Sequence, residues 1–141
     1  MLRTILIFLL LSTSAFATDL AVKIINIKKP NSVLNITICP EAFINSDNTE
    51  KDCLINQTAL ISSESEYTFY FKDIPAGEWA IFGYIDSNKD GKLNTTIFGI
   101  PTEDVFYSVS VTPFFFKGVP KFKNIKSSVH GEFQEIILIA Q

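Results

Sequence analysis

Histidine occurs once in the 141 residues, tryptophan once, methionine once and cysteine twice. A single histidine, His130, excludes metal sites built from paired imidazoles and any H-E-x-x-H helix. It stands beside Gly131 in a turn, where a solvated side chain is the ordinary fate and a general base the exception. Two cysteines cannot make a four-thiolate site, and thirteen residues between Cys39 and Cys53 exclude a C-x-x-C redox pair. Glycine-rich phosphate loops and a serine nucleophile elbow are absent as well. Basic residues are in deficit, 12 against 15 acidic ones, for a formal charge of −3. That balance argues against nucleic acid or an anionic membrane surface as an electrostatic partner.

The chain also lacks an apolar run long enough to span a bilayer. Its longest, Ile5 to Leu11 (ILIFLLL), has seven residues, where a spanning helix needs about 20. Arg3 precedes this run, and STSAFA follows with small residues at Ala15 and Ala17. Those are the parts of a secretory signal peptide cut after Ala17. The expected mature chain, 18–141, is one domain delivered to the periplasm or secreted. No cysteine follows closely enough to carry a lipid. Outside the cytosol an even cysteine count favours a Cys39–Cys53 disulfide, two buried thiols being the alternative. Closing that loop is worth about 3 kcal/mol.

What the chain does have is alternation. Leu34, Ile36 and Ile38 alternate with Asn35, Thr37 and Cys39; Tyr67, Phe69 and Phe71 alternate with Thr68, Tyr70 and Lys72. Trp79, Ile81, Gly83 and Ile85 alternate with Ala80, Phe82 and Tyr84, and Phe133–Ile139 makes a last strand that becomes wholly apolar. Turn residues punctuate these runs at Lys29-Pro30-Asn31-Ser32, Pro75-Ala76-Gly77, Asp90-Gly91 and His130-Gly131. The best helical candidate, Pro40 to Phe43, is short, and Pro40 to Gln57 reads as a polar, strand-poor excursion stapled by the disulfide. The pattern predicts an all-β, antiparallel two-sheet Greek-key sandwich, immunoglobulin-like or prealbumin-like.

Three motifs in fixed order carry a resemblance. The first is Phe71, Asp73, Ile74, Pro75, Gly77, Trp79 and Ala80; the second is Asp86, Asn88, Asp90, Gly91, Lys92, Leu93 and Asn94. The third is Gly99, Ile100 and Pro101, followed by Glu103, with Gly118, Pro120 and Phe122 further on. This series resembles the bacterial domain-of-unknown-function family numbered 2141. The resemblance implies an exported protein with a transthyretin-like or carboxypeptidase-regulatory-like sandwich, and it implies no activity. Ile85 stands where members often carry His, and Asn94 where they often carry Asp.

Asp86, Asn88, Asp90, the Lys92 carbonyl and Asn94 occupy positions 1, 3, 5, 7 and 9 of a calcium loop. Position 12, where a bidentate Glu should close the site, is Ile97, and Lys89 and Lys92 cancel the charge of the two carboxylates. Glu103 or Asp104 could complete the set from the next loop. Read without an ion, Asp and Asn cap their own backbone and Asp-Gly turns a hairpin. Trp79 reads as a core anchor rather than a sugar platform. In Phe114-Phe115-Phe116 at least one ring must face outward, which marks a partner surface, or else an inter-loop mini-core pinned by Pro113 and Pro120. Three N-x-T triplets begin at Asn35, Asn56 and Asn94 and matter as sequons only in a eukaryotic secretory pathway.

The expected function is therefore a non-catalytic exported sandwich that binds an envelope protein or a small hydrophobic ligand. A calcium-stabilised module is the first alternative, with calcium as its cofactor, and an envelope-polymer hydrolase using Asp86 and Asp90 the second.

Overall fold

The computed structural model describes residues 17–41, 53, 55–108 and 120–141. Two elements open the chain, β1 (Ala17–Ile25) and β2 (Ser32–Cys39), and six more strands follow: β3 (Ile55–Ile61), β4 (Glu66–Pro75), β5 (Gly77–Asp86), β6 (Val105–Tyr107), β7 (Lys126–Val129) and β8 (Phe133–Ile139). One helical turn, α1 (Phe122–Ile125), precedes β7. The alternating runs around Leu34, Tyr67, Trp79 and Phe133 fall inside β2, β4, β5 and β8. The excursion read as strand-poor up to Gln57 ends earlier, because β3 begins at Ile55 and pairs with β2.

Two sheets face each other. Strands β4-β1-β8 form one, and β3-β2-β5 with β6 and β7 along the far edge of β5 form the other. The five-stranded sheet is antiparallel throughout. The three-stranded sheet is mixed, since β8 runs parallel to β1 over Asp19–Ile25. Each strand sends one side of its pleat inward: Leu20, Val22 and Ile24 from β1, Leu34, Ile36 and Ile38 from β2, Ile81 and Ile85 from β5, Ile136 and Leu138 from β8. Burying such side chains stabilises by about 1.5–3 kcal/mol each.

Phase is kept in β4 by a bulge. Thr18 pairs with Ile74 but Leu20 pairs with Phe71, so Asp19 faces two residues and Asp73 takes a left-handed φ of 57°. The extra residue lets Phe71 and Ile74, three apart, both point into the core. Trp79 is buried and its indole Nε1 donates to the Pro75 carbonyl at 2.8 Å, which pins the β4–β5 turn. At Gly83 any Cβ would stand 1.9 Å from the Asn35 carbonyl oxygen and 2.5 Å from the Phe106 ring. The last residues tie the sheets together: Ala140 N–H donates to the Ile25 carbonyl, while Gln141 and Val105 exchange backbone bonds of 3.0 and 3.1 Å.

A second, smaller apolar cluster lies on the outer face of the five-stranded sheet. Cys39, Ala80 and Phe82 pack there against Phe122 and Ile125 of α1, with Cys53 and Tyr107 alongside. The Cys39–Cys53 disulfide is formed, with a Cα–Cα distance of 4.7 Å. One half of that outer face is therefore roofed by α1 and the disulfide. The expected signal peptide up to Phe16, Ala42 and Phe43, and Phe114, Phe115 and Phe116 lie outside the described residues.

Candidate functional site

Where β5 ends, its outward alternation delivers Asp86 into the loop that leads to β6. Asp86 is only 2% exposed, and its two oxygens accept three backbone N–H groups. Oδ1 takes those of Lys89 and Asp90 at 2.5 and 3.2 Å, and Oδ2 takes that of Gly91 at 2.8 Å. Lys89 and Gly91 both have left-handed φ, 61° and 75°, so the chain coils tightly around this carboxylate. Glu103, 6% exposed, closes the neck from the other side. Its Oε1 accepts from Ser87 N–H at 2.9 Å and its Oε2 from Asn94 N–H at 3.2 Å.

Inside the loop the spaced polar residues converge. Asp90 Oδ2 accepts from the Asn88 amide at 3.2 Å and the Asn94 amide at 3.0 Å, while Asn88 also donates to Asn94 Oδ1 at 3.1 Å. Asp90 Oδ1 takes the Lys92 N–H at 2.9 Å. The Asn94 amide is the main reason the Asp90 carboxyl lies below its ordinary pKa, with the Lys92 N–H, the Asn88 amide and the Lys92 charge adding to it. Asn88, Asp90 and Asn94 are thus joined by side-chain hydrogen bonds, while the Asp86 carboxylate is given over to the loop's backbone. Glu103 spends its oxygens on the loop's backbone, and Asp104 pairs with Lys29 at 3.8 Å. Among the described residues no group of three or more His, Cys, Asp or Glu side chains could hold a metal ion. Beyond Asn94 a small hairpin closes through the Thr95–Pro101 bridge, and its tip holds Ile97 and Phe98 at 94% and 69% exposure.

The same loop forms one wall of a groove of about 250 Å³ on the outer face of the five-stranded sheet, where the Gly91 backbone reaches over the open half. Its floor comes from two N-x-T triplets. A spacing of two puts Asn35 and Thr37 on one face of β2, and Asn56 and Thr58 on one face of β3. Antiparallel register then sets Asn35 opposite Thr58 and Thr37 opposite Asn56, with Tyr84 of β5 next to Asn35. The Thr37 hydroxyl donates to Asn56 Oδ1 at 2.6 Å. Amides and hydroxyls line the groove together with Ile36, Tyr84 and Gly91, more than half of the lining surface is apolar, and none of the lining side chains carries a formal charge. The alternation of polar residues in both triplets was the signal for this floor, but only strand register joins it into one surface.

Trp79 is a core residue and takes no part in the groove, and His130 lies in the β7–β8 turn with its backbone N–H bonded to Gln134. Two packed sheets, a roofed half-face and a loop-walled groove define an all-β sandwich whose outer sheet surface is, among the described residues, only half roofed. By its sequence the chain belongs to the family described as an uncharacterized protein conserved in bacteria (DUF2141), whose model matches residues 22–137. No curated protein and no solved structure matches it.

Proposed function

We propose that the chain is an exported, non-catalytic binding module of the bacterial envelope. The observation that carries this reading is the groove: a concave, loop-walled surface on a rigid sheet, lined by groups that hydrogen-bond well. Amides and hydroxyls can hold a ligand but are poor proton acceptors and donors for acid–base chemistry near neutral pH. The basic start, the Ile5–Leu11 run and the Ala15/Ala17 cleavage pattern support export, and the Cys39–Cys53 disulfide is consistent with an oxidising compartment. A thermal-denaturation screen of the purified chain against sugars, amino acids, short peptides, nucleosides and envelope proteins tests it. At least one class should raise the Tm in a saturable way and be recovered unchanged. No stabilising class would overturn the binding half of the reading, and consumption of the ligand would overturn the non-catalytic half.

A calcium-stabilised module is the second reading, favoured by the convergence of Asn88, Asp90 and Asn94 about one point beside Asp86. Turning the two amides would present oxygens in place of N–H groups, as a hard cation requires. Two amide ligands, and two lysines that offset the carboxylates of Asp86 and Asp90, imply weak binding in the millimolar class. Millimolar calcium should raise the Tm, chelator should reverse it, and Asp90→Ala should abolish the response. An unchanged Tm in calcium rejects this reading.

A further inference from the structure

We propose that the groove over Asn35, Thr37, Asn56, Thr58 and Tyr84 takes a neutral polyhydroxylated ligand, a single sugar ring either free or at the end of a glycan. The inference rests on the binding-module reading and names the ligand class for it.

Charge narrows the choice first. An ionic ligand entering this cavity would lose water and meet no formal charge among the lining side chains. A wholly apolar ligand would cover amides and hydroxyls without returning hydrogen bonds, and each buried group left unpaired is costly. More than half of the lining surface is apolar, which calls for a ligand with C–H faces beside its hydroxyls. The lining instead offers donors and acceptors side by side. A threonine hydroxyl both gives and receives, and an asparagine amide carries two donors next to an acceptor oxygen. A sugar hydroxyl has the same dual character, so each can be matched in either sense.

Size and layout agree with one ring. The cavity, at about 250 Å³, falls just below the roughly 300–1,000 Å³ of sites for drug-sized ligands. Asn35 and Thr58 face each other across one strand spacing of about 4.8 Å, and Thr37 and Asn56 form a second rung two residues along, about 6.7 Å away. That rectangle of hydrogen-bonding groups has the dimensions of one pyranose. Tyr84, in register with Asn35 and largely buried, lends the floor a narrow aromatic edge beside the ring's C–H groups. The Gly91 backbone bounds the opposite side, and the three backbone amides that Asp86 accepts hold that wall in place.

Titration of the purified, isotope-labelled chain, followed by amide NMR, tests the assignment with four sets of ligands. Neutral hexoses and N-acetylhexosamines form one, neutral oligosaccharides the second, the matching hexuronic acids and free amino sugars the third, and amino acids the fourth. Neutral sugars should saturate and shift the amides of Asn35, Thr37, Thr58 and Gly91, with charged counterparts at least tenfold weaker. Tighter binding of oligosaccharides identifies a glycan end as the source, and equal binding a free sugar. Thr58→Val, an exposed strand position that tolerates the change, should weaken binding about 3- to 10-fold with an unchanged melt. Asn35→Ala serves as a second variant. Absence of saturation by every neutral sugar, or shifts that map away from the groove, overturns the proposal. If amino acids saturate instead, the binding-module reading stands and the sugar assignment falls. If neither these ligands nor the wider screen yields binding, both fall together.

Discussion

Asp86 and Asp90 are four residues apart and chemically identical, yet burial gives them different work. Asp86 is enclosed and holds three backbone amides, so its loss leaves those donors stranded beside the core. Asp86→Ala should cost about 2–4 kcal/mol, read as a lower urea midpoint at unchanged m. Asp90 is exposed and bonded to amides that water can satisfy, so Asp90→Ala should lower the urea midpoint far less than Asp86→Ala does. Acid should act on Asp90 and on Glu64, whose carboxyl is lowered by the backbone N–H groups of Glu64, Ser63 and Ser62. Both folded values lie below the unfolded ones, so their contribution is present above about pH 4 and fades as pH falls through the folded values. Carboxyl carbon NMR titrations should show both midpoints below those of the urea-unfolded chain.

At the scale of elements, local information was legible and register was not. The spacing of Asp86, Asn88, Asp90 and Asn94 lies within one loop; the side chains of the last three bond one another there, and Asp86 bonds the loop's backbone instead. Four strands announced themselves by period-two alternation. β1 hid behind a run that mixes Ala21 into the alternation, and β6 and β7 are too short to show a period. The groove floor needed Asn35 to find Thr58, a pairing set by the whole β2–β3 ladder rather than by either triplet. The parallel seat of β8 was equally unreadable, since pairing direction leaves no trace in one strand's pattern. Gly83 joins core and groove: it gives room to the Phe106 ring, and its partner strand carries Asn35. Gly83→Ala must displace the Asn35 backbone or the ring. It should cost about 1–3 kcal/mol in thermal melts and shift the Asn35 amide resonance.

For the molecule as a whole, the last two residues act as a clasp between sheets. Four hydrogen bonds depend on them: Ala140 to Ile25, the Gln141–Val105 exchange, and Asn26 Nδ2 to the Ala140 carbonyl at 2.7 Å. Deleting Ala140 and Gln141 should lower stability by about 2–5 kcal/mol, measured as a drop in the urea midpoint with β-signal retained in far-ultraviolet dichroism. The parallel pairing that precedes this clasp also sets a clock. Asp19 lies beside Phe133, so one of the first strands in the fold waits for the last to be synthesised. Contacts of such separation in an all-β chain fold on a scale of milliseconds to seconds. A nascent chain held open for that long would suit the export proposed above.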